Sequence, residues 1–406
     1  MLKTKMNLKN GIRFICECQK NVEVVSFGFW FQFGSAYETK THNGISHFLE
    51  HVISKQEFET FIENRGGKVE CITSKEYISF NVTVNKSDFL NCLRKVADQI
   101  FSPRITSEIV ESERAVVIEE IKMYQSDFLE YVLDNISRCI FKEQSSLSLP
   151  ILGLENNILN FDLEQLCDTW YNKILRSPLV VSINGGIDEK QLCEALDYIE
   201  NIHKENKSYK ISKVEYCPSL IVEKSLHDIS ILNILSCFKT SDIYQHILPE
   251  IFTFYLTNSG QNALLIKELR KRGLSYQTFS YYLPYTIVGV WGITSLFSSD
   301  NLLEVINTIK STLESAAQIS SEDFERIKNM AINQSVILYE TTSERMKFQA
   351  KNSLLLREDV FIDNYLVRLS EVDIKDYISF VRDMMNREKG YLLFHNDEIS
   401  DKNIFI

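Results

Sequence analysis

Residues 22–33, Val22-Glu23-Val24-Val25-Ser26-Phe27-Gly28-Phe29-Trp30-Phe31-Gln32-Phe33, alternate, whereas residues 44–53, Gly44-Ile45-Ser46-His47-Phe48-Leu49-Glu50-His51-Val52-Ile53, do not. In the first stretch Val25, Phe27, Phe29, Phe31 and Phe33 interleave with Val24, Ser26, Gly28 and Gln32, the two-residue period of a strand, and Gly34 ends it. The second reads as a helix. A short helix over Phe58–Arg65 follows, closed by the C-cap signal Gly66-Gly67. Ile78, Phe80, Val82 and Val84 then alternate along another strand. Ser87 and Ser107 are suited to N-cap two longer helices, the second reaching about Leu133. A strand from Pro178 to Asn184 leads through Gly185-Gly186 into a helix from about Asp188.

The second half has a comparable order. A strand covers Ile229 to Cys237. A helix over Gln261 to about Arg270 precedes strands near Ser275–Leu283 and Ile287–Thr294, and helices run on to residue 385. Strands mixed with long helices in both halves predict the α+β class. A chain of 406 residues exceeds one ordinary core. We place a first domain at 1–205, a polar linker at 206–218 and a second domain at 219–406.

Composition narrows the functional classes. A formal net charge of −11 argues against nucleic acid, which needs a basic footprint. It suits basic or neutral peptide partners, and equally an ordinary acidic surface. No apolar run approaches a membrane span, and the N-terminus lacks the apolar stretch of a secretory signal. The 9 cysteines have no zinc-finger spacing, and Cys16 and Cys18 stand one residue apart, so they read as reduced thiols of a cytoplasmic protein.

His47-Phe48-Leu49-Glu50-His51 carries the chemistry. Imidazoles at i and i+4 share a helix face and can reach one ion. Glu50 lies beside that face, placed to hold a water and take its proton, the inverted zincin arrangement. The other histidines, His42, His203, His227, His246 and His395, show no metal spacing. A zinc site needs a third protein ligand. Glu113 and Glu120, two turns apart on the helix after Ser107, share a face with Ile109, Val110, Val116 and Val117. Carboxylates on an apolar stripe are costly to bury unpartnered, which a metal at one and a hydrogen bond at the other would relieve. A stripe whose edge faces solvent, with hydrated glutamates, is the alternative.

These residues, with Gly34-Ser35-Ala36-Tyr37-Glu38, Asn43-Gly44-Ile45-Ser46, Thr73-Ser74-Lys75-Glu76-Tyr77 and the run Glu113 to Tyr124, resemble the M16 family of zinc peptidases, the pitrilysin and mitochondrial processing peptidase group. The resemblance implies two tandem homologous domains of mixed sheet plus helices, forming half of a clamshell. It implies one zinc per chain, held by His47, His51 and Glu120, with Glu113 in support and Glu50 as general base. Leu269 to Tyr276 is similar to the segment that supplies the family's Arg and Tyr, here Arg270 and Tyr276, which bind and polarise the substrate carbonyl. Tyr276 as a core aromatic of a strand is the other reading. The resemblance also implies a peptide substrate paired to a sheet edge at Glu70, Cys71, Ile72 and Thr73. Glu70-Cys71 replaces the family's usual Asn-Ala, and the added carboxylate is expected to favour a basic residue in the peptide. The loop after His51 is shorter than the family's. The activity implied is hydrolysis of short or unfolded peptides in a closed dimeric chamber. The alternatives are the active subunit of a heterodimer that matures one precursor, and a non-catalytic partner subunit, which typically lacks a ligand or the base.

Overall fold

The computed structural model describes residues 2–143, 145–211, 214–225, 228–240, 243–397 and 405. Residues 212 and 213 of the expected linker, and His227, lie outside them. Among the described residues the strands are β1 (Leu2–Asn7), β2 (Arg13–Cys18), β3 (Val24–Phe31), β4 (Lys68–Thr73), β5 (Ile78–Asn85) and β6 (Leu179–Gly185), then β7 (Leu220–Lys224), β8 (Ile229–Phe238), β9 (Gln277–Pro284), β10 (Gly289–Ser298) and β11 (Gly390–His395). They form a sheet of order β1-β2-β6-β3-β5-β4 and another of order β7-β11-β8-β10-β9. β2 and β6 are parallel, as are β7 and β11, and the remaining neighbours are antiparallel. With β1 set aside the two sheets have one topology. The expected tandem repeat of mixed sheets with helices, the α+β class, is therefore what the chain forms.

The aromatic alternation of β3 sets the first core. Phe27, Phe29 and Phe31 are fully buried in a cluster with Phe48, Leu49, Phe80, Val117 and Trp170. The complementary face, Ser26, Gly28 and Trp30, is buried too. A helix from late in the chain, Thr342–Lys351, lies across it. Ser26 Oγ is 2.8 Å from Thr342 Oγ1, and Ser182 Oγ donates to the Met346 carbonyl at 3.1 Å. A side chain at Gly28 would have its Cβ 2.5 Å from Asn81 Oδ1 and 3.0 Å from Met346 Sδ. The small residues of the alternating pattern are there to let this strap helix approach.

Two compact units result: Met1–Asp134, Gln144–Val214 and Leu338–Ile362 form one, and Asn135–Glu143, Glu215–Ile337 and Asp363–Ile406 the other. The contiguous division at 1–205 and 219–406 thus needs correction at two segments. The strap helix belongs with the first sheet for the reason just given. Residues 135–143 belong with the second because they run beside residues 215–219, where Cys217 N donates to the Ile140 carbonyl at 2.9 Å and Ser219 N to the Cys139 carbonyl at 2.8 Å.

Element boundaries shift modestly from the sequence reading. Thr106, not Ser107, caps the helix Ser107–Ser126, its side chain accepting from Ile109 N. Asp88, not Ser87, precedes the helix Phe89–Phe101, because Ser87 turns its hydroxyl to Asn85 Oδ1. The helix expected to reach Leu133 stops at Ser126, and a second runs from Phe128 to Asn135. Asp127 separates them, its carboxylate accepting from Leu129 N and Glu130 N.

Candidate metal centre

The helix Ile45–Ser54 presents Phe48, Leu49, Val52 and Ile53 to the core, which fixes the rotation of the histidine face. Its first turn has no cap of its own. Gly44 precedes it at φ 100, where its Cα abuts Gly153, so that a Cβ would lie 2.8 Å from Gly153 Cα. The exposed N–H groups are met from six residues upstream by Glu38, which is buried. Glu38 Oε2 accepts from Gly44 N at 2.8 Å and Asn43 Nδ2 at 3.0 Å, and Oε1 accepts from Ser46 N at 2.8 Å. A carboxylate there satisfies orphan donors and complements the helix dipole.

His47 and Glu50 are buried, and His51 is half-buried. One ligand atom from each lies within 4.8 Å of the others. The two imidazoles sit with centroids 4.7 Å apart. The helix Ser107–Ser126 packs alongside, anchored by buried Val110 and Val117. It brings Glu120 Oε2 to 3.6 Å from His47 Nε2 and 3.3 Å from His51 Nε2, and Glu113 Oε2 to 3.5 Å from His51 Nδ1. Val116, expected on the same side, is instead exposed, because the buried stripe runs through Val110 and Val117. Glu113 is therefore buried, while the Glu120 side chain is 27% exposed.

The electrostatics set these groups apart. Burial pushes the Glu50 carboxyl up to about 7. Burial lowers the His47 imidazole to about 4. Burial also acts to lower His51, but Glu120, Glu50 and Glu113 outweigh it and raise its pKa. His51 and His47 hold the Glu120 carboxyl below its ordinary value. Thr73 Oγ1 donates to Glu50 Oε2 at 3.3 Å. Three buried atoms, His47 Nδ1, Glu113 Oε2 and Glu120 Oε2, have no hydrogen-bond partner. Buried polar atoms are rarely left so, and a set of imidazole and carboxylate donors suits zinc. The residues present fit such an ion.

The edge residues occupy β4, at the rim of the first sheet. Cys71 packs against the core, and Thr73 faces Glu50. Glu70 is ion-paired to Lys347 of the strap helix, so it is not the free carboxylate the sequence suggested. Lys347, far away in sequence, carried no signal of this. Arg270 and Tyr276 lie in the second unit. Arg270 is exposed in the last turn of the helix Leu264–Lys271, which Gly273 closes at φ 65 with Leu274 N donating to the Leu269 carbonyl. Tyr276 is 70% exposed, so it is not a core aromatic.

Family models match most of the chain. Residues 13–153 match the insulinase model of peptidase family M16, and residues 160–331 the model of the M16 inactive domain. An uncharacterized zinc protease of Bacillus subtilis, YmxG, is 26% identical over 396 residues, covering 95% of this chain and 96% of the relative. The mitochondrial-processing peptidase subunit beta of Dictyostelium discoideum is 33% identical over 215 residues, 51% of this chain and 44% of that one. Among solved structures, a protease from Helicobacter pylori superposes with a TM-score of 0.85 at 15% identity, covering 97% of this chain and 99% of that chain, a likeness of fold.

Proposed function

Since the chain belongs to peptidase family M16, we propose that it is a zinc endopeptidase acting on short or unfolded peptides, with its metal centre at His47, His51 and Glu120. The observation that carries this is the contact of the Glu120 carboxylate with both imidazoles of the helix Ile45–Ser54. A non-catalytic relative would be expected to have lost one of these groups or Glu50, and all four are present.

Glu50 shares the cluster, but its role differs. Thr73 holds one oxygen, and burial raises the carboxyl above its ordinary range, which favours a group that must both take and give a proton. Zinc held by His47, His51 and Glu120 would supply Lewis acidity for the scissile carbonyl and for water. Glu50 accepts the proton of the attacking water and passes it to the leaving amine. Glu113 stands 3.5 Å from the other His51 nitrogen, where it would orient that ring once the ion is bound, as carboxylates beside ligand histidines do. The peptide pairs with β4, placing its backbone beside Thr73 and Glu50. Tyr276, with Arg270, stabilises the oxyanion in this reading, supplied by the second chain of a homodimer.

We place the protein in the cytoplasm. Its nine cysteines are all unpaired, which supports a reducing compartment. Among the described residues no helix is long and apolar enough to cross a membrane. The test is metal counting joined to peptide cleavage. One zinc per chain, with cleavage of an unstructured peptide lost on chelation and restored by zinc, is expected. A pure protein that binds no zinc, or whose cleavage survives its removal, would contradict the proposal.

A further inference from the structure

Besides Glu70 and the exposed Lys68 on β4 itself, a charge from the strap helix reaches this rim. A strand's side chains alternate between faces. Cys71 points to the core that the helix Ile45–Ser54 covers, and Thr73 to Glu50. Glu70 therefore points to the other face, where the strap helix lies. There Lys347 Nζ sits between two carboxylates, paired with Glu70 and 3.1 Å from Glu344 Oε1. The Lys347 side chain is 19% exposed, against 51% for Glu70 and 38% for Glu344. The cation is thus the inner member, and the carboxylates face water. Asn81 Nδ2 donates to the Glu70 carbonyl at 3.2 Å, tying the backbone at this position to β5.

A peptide added to the β4 edge would send every second side chain to this face, toward Glu70. Its neighbours there are the charges of a filled ion-pair cluster. We infer that Lys347 is a specificity-determining residue: it neutralises Glu70 from within the chain, so that the docking edge does not select for basic residues in the peptide. The inference rests on β4 as the docking edge, which belongs to the proposed function. It makes Lys347 an internal substitute for the basic side chain that Glu70 would otherwise attract. Removing it frees two carboxylates, Glu70 and Glu344, at once. The selectivity so uncovered should be modest, because the carboxylates are partly exposed and screened.

The experiment uses a series of fluorescent peptides differing only in Lys, Ala or Glu at successive positions. Binding by anisotropy and cleavage rate are both measured on the wild-type protein, Lys347→Met, Lys347→Arg and the double variant Lys347→Met/Glu70→Gln. The wild type and Lys347→Arg should bind the Lys and Glu peptides within about twofold of each other. Lys347→Met should favour Lys by about fivefold at positions spaced by two, the advantage falling in high salt and shrinking in the double variant. A Lys347→Met protein with the wild-type pattern would overturn the inference, as would a wild type that already prefers Lys by fivefold. Binding that shows the expected pattern with no cleavage would leave the inference standing and overturn only the peptidase proposal. Absence of binding by every peptide would overturn both.

Discussion

The side chains at the candidate metal centre divide by what surrounds them. His47 is buried and kept neutral, with a pKa near 4, while His51 is more open and faces carboxylates on both nitrogens. Glu120 touches both rings, so Glu120→Gln removes charge from the one carboxylate shared by the two histidines. Zinc affinity in that variant should fall by more than the roughly 10–100-fold typical of losing an outer partner. Competition with a chelator checks this, and unchanged occupancy would mean that Glu120 is not a ligand. Thr73→Val removes the hydroxyl on Glu50 without touching a ligand. Zinc binding should persist and turnover should drop by about tenfold, the loss expected for one hydrogen bond to a charged group. Spacing and resemblance single out the histidines, Glu50, Glu113 and Glu120, and the structure brings these side chains together. The Thr73–Glu50 bond was not, because it joins a helix to a strand that sequence spacing does not bring together. The Glu70–Lys347 pair was hidden for the same reason, and it is the observation from which the absence of a basic preference is inferred above.

At the scale of elements, the histidine helix is held at its start by a distant carboxylate. Glu38→Ala would leave Gly44 N, Ser46 N and Asn43 Nδ2 without the partner they now share. We expect a loss of about 2–3 kcal/mol, the upper range for exposing buried donors, read from denaturant unfolding. A stability unchanged within error would show that the first turn is satisfied otherwise. Local patterning revealed the strands and helices that carry strong periodicity, such as β3 with its buried Phe27, Phe29 and Phe31. It missed β1 and β2: β1 is short, polar and mostly exposed, and β2, buried on both faces, does not alternate. Ser26 and Gly28 of β3 interleave with the aromatic residues, and that pattern by itself does not say what covers them. They are buried because the strap helix Thr342–Lys351 covers them, a partner that no window around β3 contains.

At the scale of the molecule, the repeat was hinted at by the order of elements, and the two sheets reveal it by their shared topology. The segments exchanged between units, 135–143 and 338–362, could not be read from a contiguous sequence, since tertiary hydrogen bonds alone assign them. The exposed Tyr276 underlies the proposed homodimer with composite sites. Glu50→Gln and Tyr276→Phe homodimers should each be nearly inactive, whereas exchanging their subunits should recover up to about a quarter of wild-type activity, since about half the dimers would be mixed and each would have one intact site. No recovery despite demonstrated exchange would place the completing groups within one chain or on another protein. The most direct measurement of the central claim is simpler: zinc content and peptide turnover of Glu50→Gln beside the wild type. The account predicts one zinc per chain in both proteins and turnover lower by about 10² or more in the variant. A zinc-loaded Glu50→Gln protein that cleaves peptide at the wild-type rate would contradict it.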